Sequence, residues 1–352
     1  MKRLFILVGV ALLLGSEAWL PSAPKPPLAG FSFSPLISAW AHRNPQTDLA
    51  VLLDTTNPDL VRLPIYWEDV EPTAGQLDFS QIDALLAVVA GHNQTAPNPT
   101  RVVLTIGARN FLYPELHEPS WAGPRNQPAL NNMQSAYAYR AYFDTSVERY
   151  RGSPLLYAWQ VENEPLDYVG NDSTGDDQIK VAQLDWEVAQ VHRLDPGHKA
   201  VTTTFDGWNV AVDELQVYAT PALWLLGGYP SGHPEQALET GDALGLDIYL
   251  DAPSTPLRFT SVALRQAWKE QAVDFWVARA QSMGKTVWLT EMQAQPWYNV
   301  PGNFTPADLI SSARGYRQVN LQVVLMWGVE TWLEDPAWLA AGARAMAILR
   351  SK

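Results

Sequence analysis

The sequence predicts a closed (β/α)₈ barrel. Eight strand-like segments alternate with helix-like segments along 352 residues, a pattern that implies parallel strand pairing. Two of the strands end in a glutamate: Tyr157 to Glu164, which Pro165 terminates, and Lys285 to Glu291. An open doubly wound sheet is the competing architecture. It is disfavoured because no Gly-rich phosphate loop follows the first strand.

Each element is assigned from its local pattern. Ile82, Leu85, Leu86 and Val89 recur at the spacing of one helix face. Asp335 and Pro336 have the residue types of a helix N-cap and first turn. The predicted strands are Phe31–Trp40 (with its loop), Leu60–Ile65, Arg101–Ile106, Tyr157–Glu164, Lys199–Phe205, Ala243–Leu250, Lys285–Glu291 and Leu321–Trp327. The predicted helices are Phe79–Ala90, Met133–Tyr150, Asp176–Leu194, Val262–Gln281 (with Trp268, Ala272 and Phe275 on one face), Pro306–Tyr316 and Pro336–Leu349.

Composition restricts the possible partners and chemistry. The chain has 37 acidic and 24 basic residues, a formal net charge of -13, which argues against binding to nucleic acid or to anionic membrane surfaces. It has no cysteine, which excludes disulfides, a thiol nucleophile and thiolate metal sites. No His/Asp spacing typical of a metal site is present, so neither a metal nor a cofactor is expected.

The N-terminal residues are typical of a secretory signal. Lys2 and Arg3 precede an apolar run, and Ser16 and Ala18 supply a cleavage site of small residues. We therefore predict a signal peptide at 1–18, a Pro-rich linker at 19–30 and one catalytic domain at 31–352. An uncleaved N-terminal anchor facing the exterior is the alternative to secretion.

The two strand-end glutamates indicate the chemistry. In an α/β barrel the carboxyl ends of all strands open on one face, where active sites form. Glu164 and Glu291 would place two carboxylates on that face, and a pair of carboxylates is the minimum set of catalytic groups for hydrolysing a glycosidic bond.

Five motifs in order resemble the large clan of retaining glycoside hydrolases with a (β/α)₈ barrel, which includes cellulases, mannanases and β-galactosidases. The resemblance spans roughly 31–349. Its motifs are Val61-Arg62-Leu63-Pro64-Ile65-Tyr66-Trp67, Val161-Glu162-Asn163-Glu164-Pro165, Leu246-Asp247-Ile248-Tyr249, Trp288-Leu289-Thr290-Glu291 and Met326-Trp327-Gly328.

The resemblance implies a role for each matched residue. Glu164 would be the general acid and base, and Glu291 the nucleophile. Asn163 would bind the sugar 2-hydroxyl, and Tyr249 would donate a hydrogen bond to Glu291. Arg62 would stabilise the charge of Glu291. A barrel-mouth ion pair or packing contact is the alternative reading for Arg62 and Tyr249.

Aromatic residues at the predicted mouth complete the candidate site. Trp327 would form the floor under the cleaved sugar, by the same resemblance. Trp297 and Trp332 lie in the loops after the seventh and eighth strands and are candidate sugar-binding residues. Their alternative role is to pack these loops together.

Two positions depart from the clan pattern. Asp247 stands two residues before Tyr249, where the cellulase-like branch commonly has a histidine. Arg109 follows the third strand, where a His or Trp is often found. It could bind a charged group of the substrate or neutralise carboxylates at the mouth.

Two functions are therefore compared. The first is a secreted glycosidase acting on a β-linked oligo- or polysaccharide. The second is a catalytically silent sugar-binding protein on the same barrel. The presence of both glutamates favours the enzyme. The sequence does not specify the sugar, endo or exo action, hydrolysis or transfer, or the oligomeric state.

Overall fold

The computed structural model describes residues 24–123, 133–166, 179–205, 233–251, 260–297 and 304–351. These residues include eight parallel strands that close into a barrel in chain order, with β1 paired to both β2 and β8. The strands are β1 Leu28–Ser32, β2 Leu60–Pro64, β3 Arg101–Ile106, β4 Leu156–Val161, β5 Lys199–Phe205, β6 Ala243–Ile248, β7 Thr286–Gln293 and β8 Val323–Trp327. The predicted fold, a single-domain (β/α)₈ barrel, is confirmed.

Helices pack around the outside of the barrel and enclose the main apolar core between themselves and the sheet. They are α1 Pro35–Trp40, α2 Pro45–Thr56, α3 Trp67–Val70, α4 Ser80–His92, α5 Met133–Tyr150, α6 Val181–Leu194, α7 Pro234–Thr240, α8 Val262–Ser282, α9 Pro306–Tyr316 and α10 Pro336–Leu349, with a 3₁₀-helix at Val329–Glu334. No helix among the residues described is both long and apolar enough to cross a membrane.

The first strand and the linker boundary differ from the prediction. β1 begins at Leu28, inside the predicted linker, and Pro35–Trp40 is a helix, not part of a strand and its loop. The strand was hard to recognise because the residues at its centre have small side chains. A Cβ at Gly30 would lie 1.9 Å from the Leu60 carbonyl oxygen, so the close approach of β1 to β2 requires glycine there.

The apolar face predicted for the long helix α8 is confirmed at Ala272, which is buried, and wrong at Trp268 and Phe275. Trp268 and Phe275 are each 39% exposed, whereas Val273 and Trp276 are buried. Buried polar residues in the first turns of α8, such as Lys269, obscured the true inward face. The predicted signal peptide at 1–18 and the start of the predicted helix Asp176–Leu194 lie outside the described residues.

Candidate active site

The interior of the barrel is layered. One end is filled by an apolar cluster to which seven of the strands contribute. Because side chains two residues apart on a strand share a face, the residues that follow this cluster on the same face form a second layer. On five strands that layer is polar, and the apolar and polar pairs are Leu60 and Arg62, Val103 and Thr105, Ala158 and Gln160, Val201 and Thr203, and Trp288 and Thr290.

A bulge in β7 brings Glu291 to this polar layer. Simple alternation from Trp288 would place Thr290 inside the barrel and Glu291 outside it. The pairing with β6 shifts at this point, so that Leu246 pairs with Leu289 but Asp247 pairs with Glu291. Thr290 is the extra residue, and β-bulges of this kind commonly redirect side chains beside active sites.

Both carboxylate oxygens of Glu291 accept a hydrogen bond. The Arg62 Nη2 atom lies 2.6 Å from Oε1, and the Tyr249 hydroxyl donates to Oε2. The side chains of Arg62 and Glu291 are 0% and 4% exposed, so this ion pair is withdrawn from water. Burial, followed by the charges of Glu291 and Glu164, raises the pKa of Tyr249 well above its usual range, which keeps the phenol a donor.

Arg62 holds several groups of the site together. Its Nε atom donates to Ser32 Oγ at 2.8 Å, and its Nη1 atom donates to Gln160 Oε1 at 2.8 Å. The same Nη1 atom approaches Asn163 Oδ1 at 3.4 Å, and Gln160 Nε2 donates to that oxygen at 2.9 Å. The guanidinium also lies 4.1 Å from the ring centroid of Phe111. The oxygen of the Asn163 amide is therefore turned into the protein.

Glu164 lies at the end of β4 in a left-handed backbone conformation, with φ of 45°. Its backbone N–H donates to Thr203 Oγ1 at 2.8 Å. Glu162, two residues earlier, also has a positive φ, 60°. Left-handed conformations of residues other than glycine are strained and cluster at functional sites. The strain here turns the chain so that the glutamate side chain reaches the mouth.

Three buried carboxyl groups meet at the mouth. One oxygen from each of Glu164, Asp247 and Glu291 lies within 4.8 Å of the others. Such a group could surround a cation, but both oxygens of Glu291 already accept hydrogen bonds from Arg62 and Tyr249. The arrangement can instead deliver one carboxyl group as an acid and another as a nucleophile to the same small molecule.

Asp247 is the unexpected member of this group. It is fully buried, its Oδ1 accepts from Thr290 Oγ1 at 2.6 Å, and its Oδ2 has no partner among the described residues. Burial, reinforced by the charge of Glu291, raises the pKa of Asp247 well above its usual range. The neutral acid is therefore the form that this position favours.

Two of the three predicted aromatic residues lie together at the mouth. The rings of Trp297 and Trp327 are stacked, with centroids 6.4 Å apart and an interplanar angle of 25°. Tyr249 meets both edge-on. Phe205, which sequence reasoning missed, stacks on Tyr249 at 5.6 Å.

The assignment of Trp332 to sugar binding is wrong. Its side chain is 0% exposed, its Nε1 donates to the Ala294 carbonyl at 2.8 Å, and its ring packs on Gly342 of α10. Trp332 therefore joins the 3₁₀-helix to α10. The alternative given for it above, packing of the loops, is the one the structure supports.

The structure also separates the two readings of Arg109. Its side chain is 0% exposed, its Nε donates to the Asn163 carbonyl at 3.0 Å, and its Nη2 pairs with Glu115. With these partners Arg109 neutralises a carboxylate at the mouth and holds the backbone of Asn163. Gln160 and Ser32, by contrast, were missed. The only signal for Gln160 was its position two residues after the inward-facing Ala158.

The fold and the site define an α/β barrel with paired glutamates at the carboxyl ends of β4 and β7. No protein-family model matches the chain, and no curated protein matches it in sequence. Solved structures of glycoside hydrolases share the fold at 15–16% identity. The resemblance inferred from the five motifs is thus confirmed for the fold.

Three of these structures are representative. A GH5_18 protein from Streptomyces cattleya in complex with GlcNAc has a TM-score of 0.66 at 15% identity, over 94% of this chain and 82% of its own. An alanine variant from the same organism, in complex with Manβ1-4GlcNAc, has a TM-score of 0.60 at 16% identity, over 86% and 70%. An exo-β-1,4-mannosidase from Opitutaceae bacterium strain TAV5 has a TM-score of 0.60 at 16% identity, over 94% and 60%.

Proposed function

We propose that the protein is a retaining glycoside hydrolase that cleaves β-linked saccharides by double displacement. The observation that carries the proposal is the approach of Glu164 and Glu291, whose nearest described oxygens lie within 4.8 Å. Retaining enzymes hold their two carboxyl groups about 5–5.5 Å apart, whereas inverting enzymes need about 6.5–9.5 Å to admit a water molecule between them.

The two glutamates take different roles because their surroundings differ. Glu291 accepts hydrogen bonds from Arg62 and Tyr249, which orient it for attack on the anomeric carbon. Glu164 protonates the leaving oxygen and later removes a proton from the water that hydrolyses the glycosyl ester. The proton thus passes from Glu164 to the alcohol, and a second proton returns to Glu164 from water.

The neighbouring groups fit a sugar ring in this position. The oxygen of the Asn163 amide is engaged by Gln160 and Arg62, so its NH₂ group is the donor offered to the sugar 2-hydroxyl. The stacked Trp327 and Trp297 supply an apolar face for the ring. The mannosyl ligand bound by one fold neighbour makes β-mannosides the first substrates to test.

A panel of nitrophenyl β-glycosides tests the proposal, with β-mannoside, β-glucoside and β-galactoside as its first members. We expect release of the phenol, and we expect NMR to show that the β-anomer of the sugar is formed first. A sugar that binds without phenol release from any member would support the silent sugar-binding protein instead. An α-anomer as the first product would mean inversion.

Secretion is part of the same proposal. The charged and then apolar N-terminus, followed by Ser16 and Ala18, supports cleavage before Trp19. N-terminal sequencing of exported protein is expected to begin near Trp19. Recovery of the intact N-terminus in a membrane fraction would establish an anchor.

A further inference from the structure

Two further buried glutamates lie behind the catalytic strand end. Glu162 on the exit of β4 and Glu187 on α6 are both 0% exposed. The hydroxyl of Tyr139, from α5, lies between them, 2.8 Å from Glu162 Oε1 and 2.6 Å from Glu187 Oε1. We call these three residues the carboxyl clasp.

Counting protons shows that one of the two carboxyl groups must be neutral. A phenol carries a single proton and can donate to only one of its two neighbours. The other short contact requires that the carboxyl group donates to the phenolic oxygen. Burial raises the pKa of Tyr139 well above its usual range, so the phenol itself does not lose its proton.

The surroundings decide which carboxyl group is protonated. Burial raises the pKa of Glu162, but its carboxylate accepts from the backbone N–H of Ala108 at 2.9 Å and of Arg109 at 2.5 Å, and these two donors oppose the rise by favouring the anion. Among the described residues outside the clasp, Glu187 Oε1 accepts from Gln183 at 2.8 Å, and Glu187 Oε2 has no hydrogen-bond partner. Burial, and then the charge of Glu162, raises the pKa of Glu187 well above its usual range. The proton chain therefore runs from Glu187 through Tyr139 to the Glu162 anion.

The clasp holds the residues that carry the proposed chemistry. Glu162 immediately precedes Asn163 and Glu164, and its carboxylate fixes the backbone at the end of β3. The fit is tight, because a Cβ at Gly107 would lie 2.3 Å from the Glu162 carboxyl carbon. The backbone of Asn163 in turn donates to Arg109 at 3.2 Å. A shift of Glu162 would therefore move the acid/base residue.

We infer that Glu187 is a positioning residue that must stay neutral: as a buried acid it donates through Tyr139 to Glu162 and so fixes the strand end that bears Asn163 and Glu164. This role rests on the proposed function. Ionisation of Glu187 would put two anions on one phenol and loosen that strand end. The titratable groups around the clasp are Tyr139 and Tyr142 on α5, Glu187 on α6, Glu162 on β4 and Asp69 on α3.

The sign of the pH effect follows from the raised pKa of Glu187. A carboxyl group of this kind stabilises the fold fully when the pH is below its pKa in the unfolded state. This contribution is lost as the pH rises through its pKa in the folded state. Glu187→Gln keeps a donor for the phenol but cannot ionise. The partly exposed Gln183 amide can turn to present its oxygen to the new NH₂ group.

The test compares wild type, Glu187→Gln and a matched control, Glu270→Gln, between pH 5 and 9. Glu270 is a partly buried acid on α8, outside the clasp, that also accepts from a glutamine four residues earlier. We expect the Tm of Glu187→Gln to exceed that of wild type increasingly as pH rises, by at least about 2 °C at pH 9. Burial also raises the pKa of Glu270, but by less than that of Glu187, so Glu270→Gln is expected to show a smaller gain in Tm with pH than Glu187→Gln.

Activity supplies the second readout. An aryl glycoside with an acidic phenol is used, because its departure does not need a proton from Glu164. The alkaline fall of kcat/KM should be smaller in Glu187→Gln than in wild type, with rates at pH 6 equal within about threefold. Parallel Tm curves for wild type and Glu187→Gln, or a loss above tenfold for this variant at pH 6, would overturn the inference. If no glycoside is turned over by wild type, the proposed function fails while the Tm curves still decide the clasp.

Discussion

Arg62 and Glu291 are joined across the barrel by a 2.6 Å ion pair that links β2 to β7. The remaining donors of the guanidinium reach Ser32, Gln160 and Asn163. One side chain thus sets the position of the proposed nucleophile and the orientation of the amide that would bind the sugar. A lysine could supply the charge but not the planar fork of donors.

Arg62→Lys is therefore expected to lower kcat/KM by about 10²-fold or more, a loss comparable to removing one transition-state donor. Arg62→Met leaves a buried carboxylate without its partner and should also cost about 3–5 kcal/mol of stability. The measurements are kcat/KM on the best aryl glycoside and urea unfolding. Arg101→Lys is the control, because Arg101 lies at the opposite end of the barrel over Tyr157. An Arg62→Lys enzyme within tenfold of wild type would show that charge alone suffices.

Much of the barrel could be predicted because strands and caps leave local signals. β3, β5, α5 and α9 have the predicted bounds, and the Asp335-Pro336 start of α10 is confirmed by the capping contact of Asp335 with Ala337. The same signal was overlooked at Asn44-Pro45, where Asn44 accepts from the Thr47 N–H at 2.9 Å and begins α2.

The parts of the site that escaped prediction depend on tertiary geometry. The bulge that redirects Glu291 is a property of strand pairing, and Trp332 and Trp327 have the same local signal as aromatic residues near a strand end. Whether such a ring can bind a sugar or is packed in the protein core depends on the helix behind it. The protonation of Glu187 depends on a residue 48 positions away in the chain.

The two catalytic assignments can be separated by substitution. Glu291→Ala removes the nucleophile, so turnover should be lost on every substrate. Glu164→Ala removes the proton donor, which is worth about 10²–10⁴ in rate when the leaving group needs protonation. An acidic phenol leaves without that proton, so its release should survive Glu164→Ala far better than cleavage of a natural saccharide.

Added azide then identifies the acid/base residue. Azide needs no general base, so it should restore turnover to Glu164→Ala and give a β-glycosyl azide from a β-linked substrate. Rescue of Glu291→Ala in this way, and not of Glu164→Ala, would mean that the two roles are reversed. If neither substitution lowers activity tenfold, the site lies elsewhere.

Glu330 gives a prediction about stability. Its side chain is buried beside the start of α1, where Oε1 accepts from the backbone of Ser34 and Oε2 has no partner among the described residues. Burial raises the pKa of Glu330 to about 7. The stability that its neutral form contributes is therefore complete below about pH 4.5 and is lost as pH rises through about 7.

Glu330→Gln should accordingly unfold with a free energy up to about 3 kcal/mol above wild type at pH 8. The two proteins should be nearly equal at pH 4.5. Urea titrations at the two pH values measure the difference, and Glu334→Gln, an exposed partner of Arg43, serves as the control. An equal difference at both pH values would contradict the assignment, because it could not arise from titration of Glu330.

Asp247 gives the last prediction, which concerns the charge of the site. Its pKa is raised by burial and by Glu291, so the neutral acid should persist to higher pH than in an exposed aspartate, and the anion should appear only as pH rises through the folded-state pKa. Asp247→Asn reproduces the neutral acid and can still accept from Thr290, so kcat/KM at pH 6 should stay within about threefold of wild type. Asp247→Ala leaves the Thr290 hydroxyl without its acceptor and should be less stable by about 1–3 kcal/mol. Asp251→Asn, at a buried carboxyl four residues along the chain and outside the three-carboxyl group, is the matched control. A hundredfold loss in Asp247→Asn alone at pH 6 would mean that the site works with a charged Asp247, as a third anion facing the cationic transition state.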